Sequence, residues 1–155
     1  MRKYLFFLIF FLNACNEAAF SIDNKQNQLQ EIEFDVVEKK LIIAEDIPEN
    51  IKNTLNLWFN NKVKVNGFSG NMTLDVYNYE QEIINIIDGK RIETSLNFKV
   101  ILNKPVLSKK KTIKGEIKSY GELIGSFSLN DFDILTKNTQ LDLIERLNGD
   151  IKNKI

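Results

Sequence analysis

The stretch Asp88–Asn103, DGKRIETSLNFKVILN, decides the fold of this chain. From Ile92 onward, Ile92, Thr94, Leu96, Phe98, Val100 and Leu102 alternate with Glu93, Ser95, Asn97, Lys99, Ile101 and Asn103. Side chains on a strand point to opposite faces with a period of two, so this pattern is a strand with one apolar and one mostly polar face. The sheet it belongs to is therefore covered on a single side. Asp88-Gly89 is a favoured hairpin pair, because both residues tolerate positive φ. The pair makes the preceding EIINII (Glu82–Ile87) the antiparallel partner.

The pattern continues outward in both directions. Upstream, Met72, Leu74 and Val76 alternate with Thr73, Asp75 and Tyr77, after a loop marked by Gly67 and Gly70. Downstream, Pro105 and Ser108–Lys111 form a turn, and Thr112–Tyr120 gives a further strand. Farther upstream the period changes. Ile47, Ile51, Leu55 and Trp58 recur every three or four residues and line one face of a helix. Pro48 suits its first turn, Asp46 and Glu49 favour the positive end of its dipole, and Asn60-Asn61 ends it. Before it, Ile32, Phe34 and Val36 begin a strand that runs through Ala44, bent or bulged in the middle. At the other end, Leu135, Leu143, Leu147 and Ile151 mark a second helix, widened by Leu141 and Ile144. Asn130 or Asp131 caps it and Gly149 ends or frays it. The expected architecture is α+β: a four-stranded mixed sheet with two helices on one face, in the order β-α-β-β-β-α.

The first fifteen residues read differently. Arg2-Lys3 precede an apolar run, Tyr4–Leu12, that is too short to span a bilayer, whose core needs about 20 residues. A basic start, a short apolar middle and a small residue before the cut are the parts of a secretory signal peptide. It ends in Leu12-Asn13-Ala14-Cys15, which resembles the lipobox of bacterial lipoproteins. In that family a diacylglycerol is attached to the cysteine, here Cys15, and cleavage makes it the first residue. The chain then divides into a signal peptide (1–14), a lipidated cysteine and flexible tether (15–30), and one α+β domain (31–155). Asn16 rather than Asp after the cysteine favours the outer membrane, and a palmitate label should mark Cys15.

Composition narrows the function. The 155 residues carry 21 basic and 21 acidic side chains, and removing Arg2 and Lys3 with the signal leaves 19 against 21. That balance gives no general attraction to nucleic acid. Cys15 is the only cysteine, so no disulfide can form within the chain. There is no histidine, which excludes cysteine–histidine dyads, Ser-His-Asp triads and His/Cys zinc sites. No residue set names a reaction, cofactor or metal, and a non-enzymatic protein is expected.

The remaining motifs are weak. Ser108–Lys111 formally matches the Ser-x-x-Lys signature of penicillin-recognising enzymes, but it lies in a turn and its companion motifs are absent. Asp131 and Asp133 lack the Gly and closing Glu of a calcium loop. Asp75, Glu80 and Glu82 read as a solvated face. Phe59 lies off the apolar stripe of its helix, where it either packs at a rim or meets a partner, while Tyr77 and Tyr79 share the less apolar side of their strand. The basic turns carry more information. Lys90 and Arg91 sit at one hairpin, and Lys109, Lys110, Lys111 and Lys114 at the next. If both turns lie at one end of the sheet they could hold an anionic group; otherwise lysines simply keep exposed edges from aggregating.

A lipobox, a short tether and a β-α-β-β-β-α domain together resemble the LPS-assembly lipoproteins of the LptE type. The resemblance spans Ile32 to Ile151, and IKSYGELIGSF followed by LDLIERLNGDIKNKI is similar to that family's last strand and closing helix. The family has a Gly-aromatic pair after the cysteine, where this chain has Asn16-Glu17-Ala18. The resemblance implies an outer-membrane, lipid-anchored protein on the periplasmic side of a Gram-negative bacterium. It implies two partners: an outer-membrane β-barrel protein, and lipopolysaccharide bound through basic loop residues, matched by loop position to Lys90, Arg91 and Lys109–Lys111. Other readings are an auxiliary lipoprotein of an ABC-type lipid transporter, and a lipoprotein binding an unknown ligand.

Overall fold

The alternating stretch forms the middle of the sheet. In the computed structural model, which describes residues 29–104 and 109–155, the elements are β1 (Ile32–Phe34), β2 (Glu38–Ile43), α1 (Glu49–Lys62), β3 (Val63–Val65), β4 (Asn71–Ile86), β5 (Gly89–Lys104), β6 (Lys109–Ile124) and α2 (Leu129–Lys154). The signal peptide, Cys15, Pro105 and Ser108 lie outside the described residues. The main sheet is four-stranded and mixed, in the order β2-β4-β5-β6, with β2 parallel to β4 and the other neighbours antiparallel.

One face of this sheet carries the core. Met72, Leu74 and Val76 of β4 stand beside Leu102, Val100 and Phe98 of β5, and Ile113 and Ile117 of β6 continue the rows. Ile51, Leu55 and Trp58 of α1 and Leu143, Ile144, Leu147 and Ile151 of α2 join them in a single buried cluster. Both helices thus lie on the same face. Each fully buried Leu or Ile contributes about 1.5–3 kcal/mol, so these rows are the main source of stability in a chain whose only cysteine is Cys15. Trp58 places its one polar atom inside as well. Its Nε1–H donates to Asn148 Oδ1 at 2.9 Å, which ties α1 to α2, and Asn148 donates in turn to the carbonyl of Gln30. Leu29 packs against the core.

The first strand is two strands rather than one bent strand. Ile32, Phe34 and Val36 are buried on even positions, whereas in β2 the inward row is Lys39, Leu41 and Ile43, on odd ones. The bend at 35–37, where the Val36 N–H donates to Phe34 O, absorbs the change of parity. Because of it β1 leaves the main sheet and pairs in parallel with β3. Gly67 makes this crossing possible: a Cβ there would sit 2.4 Å from the Val36 nitrogen.

Several turn and cap expectations change in detail. The β4–β5 loop is Ile87-Asp88, not Asp88-Gly89, since Ile86 pairs with Gly89. Asp88 supplies the positive φ of 59° and Gly89 stands in the strand. Helix α2 is capped by Ser128 instead of Asn130 or Asp131. Ser128 Oγ accepts from the Asp131 N–H at 3.2 Å, and the Asp131 carboxylate accepts from the Ser128 N–H at 2.8 Å, a reciprocal capping box. Gly149 neither ends nor frays the helix, which continues to Lys154. Its C-terminal carbonyls find a donor in Lys111, whose Nζ reaches Lys154 O at 3.0 Å and Ile155 O at 2.8 Å.

Two aromatic expectations also change. Phe59 is buried rather than at a rim, because β2 runs past the end of α1 and covers it with Lys39. Tyr77 and Tyr79 do not share a face. A bulge between Tyr77 and Glu80, with Asn78 at φ 52°, turns Tyr79 into the core side while Tyr77 stays outside.

Candidate functional site

The basic turns do not meet. In an antiparallel meander consecutive turns fall at opposite ends, and β5 is 16 residues long. At about 3.4 Å per residue the ends are roughly 50 Å apart. The register fixes this, with Gly89 opposite Ile124 at the distal end and Lys104 opposite Lys109 at the proximal end. No single anion can therefore engage Lys90 or Arg91 together with the Lys109–Lys111 group.

Each basic residue has its own surroundings. Arg91 donates to Glu122 from Nε at 2.8 Å and approaches Glu93 at 3.3 Å, with its guanidinium over the Tyr120 ring. Those hydrogen bonds push its pKa up further, and two carboxylates offset its charge. Lys111 is occupied at the end of α2. Lys110 and Lys114 lie on the outer, helix-free face of the sheet, Lys114 directly across from Lys99. Like charges on neighbouring strands keep this proximal corner open to solvent or to an acidic partner.

Lys90 differs from the rest. Its Nζ donates to the neutral amide oxygen of Asn85 at 3.0 Å. The side chain lines a recess of about 280 Å³ together with Ile83, Phe127, Ser128, Leu129 and Phe132. Local sequence builds this recess. Ser128 caps α2, which puts Phe127 just before the cap and Phe132 in the following turn, the positions of a hydrophobic staple. Ile83 faces them from β4, and Leu129 is 86 % exposed. Ile87, at the hairpin tip, is 91 % exposed. An ammonium beside an apolar recess can hold an amphiphile with an anionic head and a hydrocarbon tail.

The opposite face has a second, acidic hollow of about 260 Å³ lined by Glu80, Glu82, Glu93 and Lys118 among others. Lys118 is paired with Glu116 at 2.9 Å, and that bond raises its pKa, with lesser help from Glu80 and Glu93. Among the described residues no group of three His, Cys, Asp or Glu side chains is placed to hold a metal ion. Asp75 faces Lys99 across the β4–β5 pair, and Asp131 is committed to the cap of α2, where the Ser128 bonds hold its pKa below the usual carboxylate value.

The recess was open to inference from Ser128-Leu129-Asn130-Asp131, a capping box flanked by two phenylalanines. Lys39 was not, because the parity change at 35–37 hides its inward direction. Its Nζ donates to Phe59 O at 3.0 Å and Val63 O at 2.5 Å, closing the end of α1. Burial, and then the charge of Lys64, lower its pKa.

No family model matches the chain, and no curated protein matches it. Solved structures of similar shape exist. A minor lipoprotein from Acinetobacter baumannii is 14 % identical, with a TM-score of 0.48 over 77 % of this chain and 92 % of that one. An uncharacterized lipoprotein B from Nitrosomonas europaea is also 14 % identical, with a TM-score of 0.48 over 79 % of this chain and 86 % of that one. The rare lipoprotein B from Shewanella oneidensis is 14 % identical, with a TM-score of 0.39 over 76 % and 96 %.

Proposed function

We propose that this chain is a bacterial lipoprotein, held at the periplasmic side of the outer membrane by lipid on Cys15, that works by binding rather than catalysis. Its ligand is an anionic lipid such as lipopolysaccharide and its site is the distal recess. In this role it is an LptE-like accessory subunit of an outer-membrane β-barrel protein. The observation that carries the binding reading is Lys90 beside the apolar recess of Ile83, Phe127, Leu129 and Phe132. Such a recess takes in part of an acyl chain, and the ammonium donates to a phosphate without displacing a carboxylate. Leu12-Asn13-Ala14-Cys15 supports the anchor, since two or more acyl chains give stable attachment. The outer face of the sheet, polar and without a helix, supports a large partner on that side.

The test is binding of lipopolysaccharide to the full chain in detergent. Lys90→Glu and Phe132→Asp should each weaken it about tenfold or more, while Lys110→Glu, at the other end, should leave it unchanged. Equal loss from all three, or none, would reject the recess. Palmitate-analogue labelling should mark the wild type and miss Cys15→Ser. Affinity capture from mildly solubilised membranes should recover a β-barrel protein in near-equal amount.

A further inference from the structure

The distal half of β4 has a free edge. β2 pairs with β4 only along Asn71–Val76, and among the described residues no strand lies beside Glu80–Ile86 on that side. Other edges of the sheet are guarded. β6 carries Lys110, Lys114 and Lys118, and β2 carries Lys40. Lysines on an edge discourage a further strand. The segment Glu80–Ile87, EQEIINII, has no lysine, proline or glycine. Ile83 is 52 % exposed on it, and Ile87, at its end, is 91 % exposed.

The hydrogen-bonding direction of this edge follows from the hairpin. Ile86 and Gly89 close a two-residue loop, and a closing pair of this kind exchanges both hydrogen bonds. Alternation then turns the N–H and C=O of Ile84, Glu82 and Glu80 toward β5. Those of Gln81, Ile83 and Asn85 face outward, ready for another strand.

The segment is complementary to itself in one register. Laid antiparallel on a second copy with Ile83 opposite Ile83, it sets Gln81 against Asn85, Glu82 against Ile84 and Glu80 against Ile86. No like charges are opposed. Centring on Gln81 would oppose Glu80 with Glu82, centring on Glu82 would oppose that residue with itself, and centring on Ile84 or Asn85 would bring Glu80 or Glu82 against Asp88. We propose that two copies of this chain associate through antiparallel pairing of their Glu80–Ile86 edges, centred on Ile83, to give one continuous sheet.

Ile83 also lines the lipid recess, but the pairing runs through the main-chain edge of Glu80–Ile86 and does not require a bound lipid. An edge contact of this size is smaller than the ~1,200–2,000 Å² of a standard stable interface, so attachment to a common surface would strengthen it by raising the effective concentration. Hydrogen-bonded antiparallel partners have Cα atoms about 5.5 Å apart, inside the roughly 4.4–6.8 Å range of a disulfide.

The test is oxidative cross-linking of the full chain at high concentration in detergent solution, in a Cys15→Ser background so that only the introduced thiols react. Ile83→Cys should give a covalent dimer several-fold more efficiently than Lys118→Cys. A mixture of Gln81→Cys and Asn85→Cys should cross-link, while Gln81→Cys alone should not. Ile83→Lys should leave the melting temperature nearly unchanged and convert the dimer to monomer in sedimentation. Cross-linking at Ile83 no better than at Lys118, equal yields from Gln81→Cys alone and the mixture, or unchanged sedimentation of Ile83→Lys would each overturn the proposal.

Discussion

Single side chains in this protein do work that a pattern of polar and apolar positions does not show. Lys39 occupies a place in the inward row of β2 and donates to Phe59 O, Asn60 O and Val63 O at the end of α1. Lys39→Met keeps the stem and removes the ammonium from all three carbonyls, of which Phe59 O retains the Val63 N–H. It should destabilise the fold by about 1–3 kcal/mol in urea titrations. Asp131 acts at the opposite kind of helix end. Its folded pKa lies below the ordinary 3.8 because Ser128 donates to it from backbone and side chain. The contribution of the carboxylate is therefore fully present above about pH 3.8 and is lost as the pH falls through the folded value. Thermal melts should show wild type above Asp131→Asn at pH 6, with the gap closing toward pH 2.5. A gap that widened in acid would contradict the capping role.

At the scale of elements, the long period-two and period-four runs were legible, and the places where the chain changes direction were not. The rows of β4, β5 and α1 follow from Met72–Val76, Ile92–Leu102 and Ile47–Trp58, because hydrophobic burial imposes its period on every residue of a regular element. The break at 35–37 and the bulge at Asn78 each add one residue of backbone. That reverses the faces beyond them, so Lys39 turned inward and Tyr79 parted from Tyr77. Of the Lys90 recess only the α2 wall was legible, from the capping box and its two phenylalanines; the facing wall, Ile83, stands on a strand more than forty positions earlier. The length of α2 was misread because Gly149 looked like a stop. The helix passes through it, held by Leu147 and Ile151 on either side in the core and by Lys111 at the end. A Cβ at Gly149 would meet nothing within 4 Å beyond the helix itself. Gly149→Ala should accordingly stabilise the protein by about 0.5–1 kcal/mol, seen as a higher denaturant midpoint. A loss of stability would mean that the helix is not continuous there.

The whole molecule is built on strands of 16 residues, with its two hairpin turns at opposite ends. Spin labels on Asp88→Cys and Lys110→Cys, with Cys15→Ser, should report a separation of about 50 Å by pulsed electron resonance. A value below about 30 Å would mean a folded-back hairpin and would return both basic clusters to one site. The chain enters at the proximal end, where Gln30 is held by Asn148 and Lys152. The apolar recess is at the distal one. On the lipoprotein reading this arrangement makes the sheet a ruler. The point of attachment and the point of capture are set a fixed distance apart by covalent strand length, so a ligand could be met well away from the bilayer that holds the protein. Lengthening the polar segment before Leu29 would move the whole rod; only a change in the number of paired residues would alter its graduation.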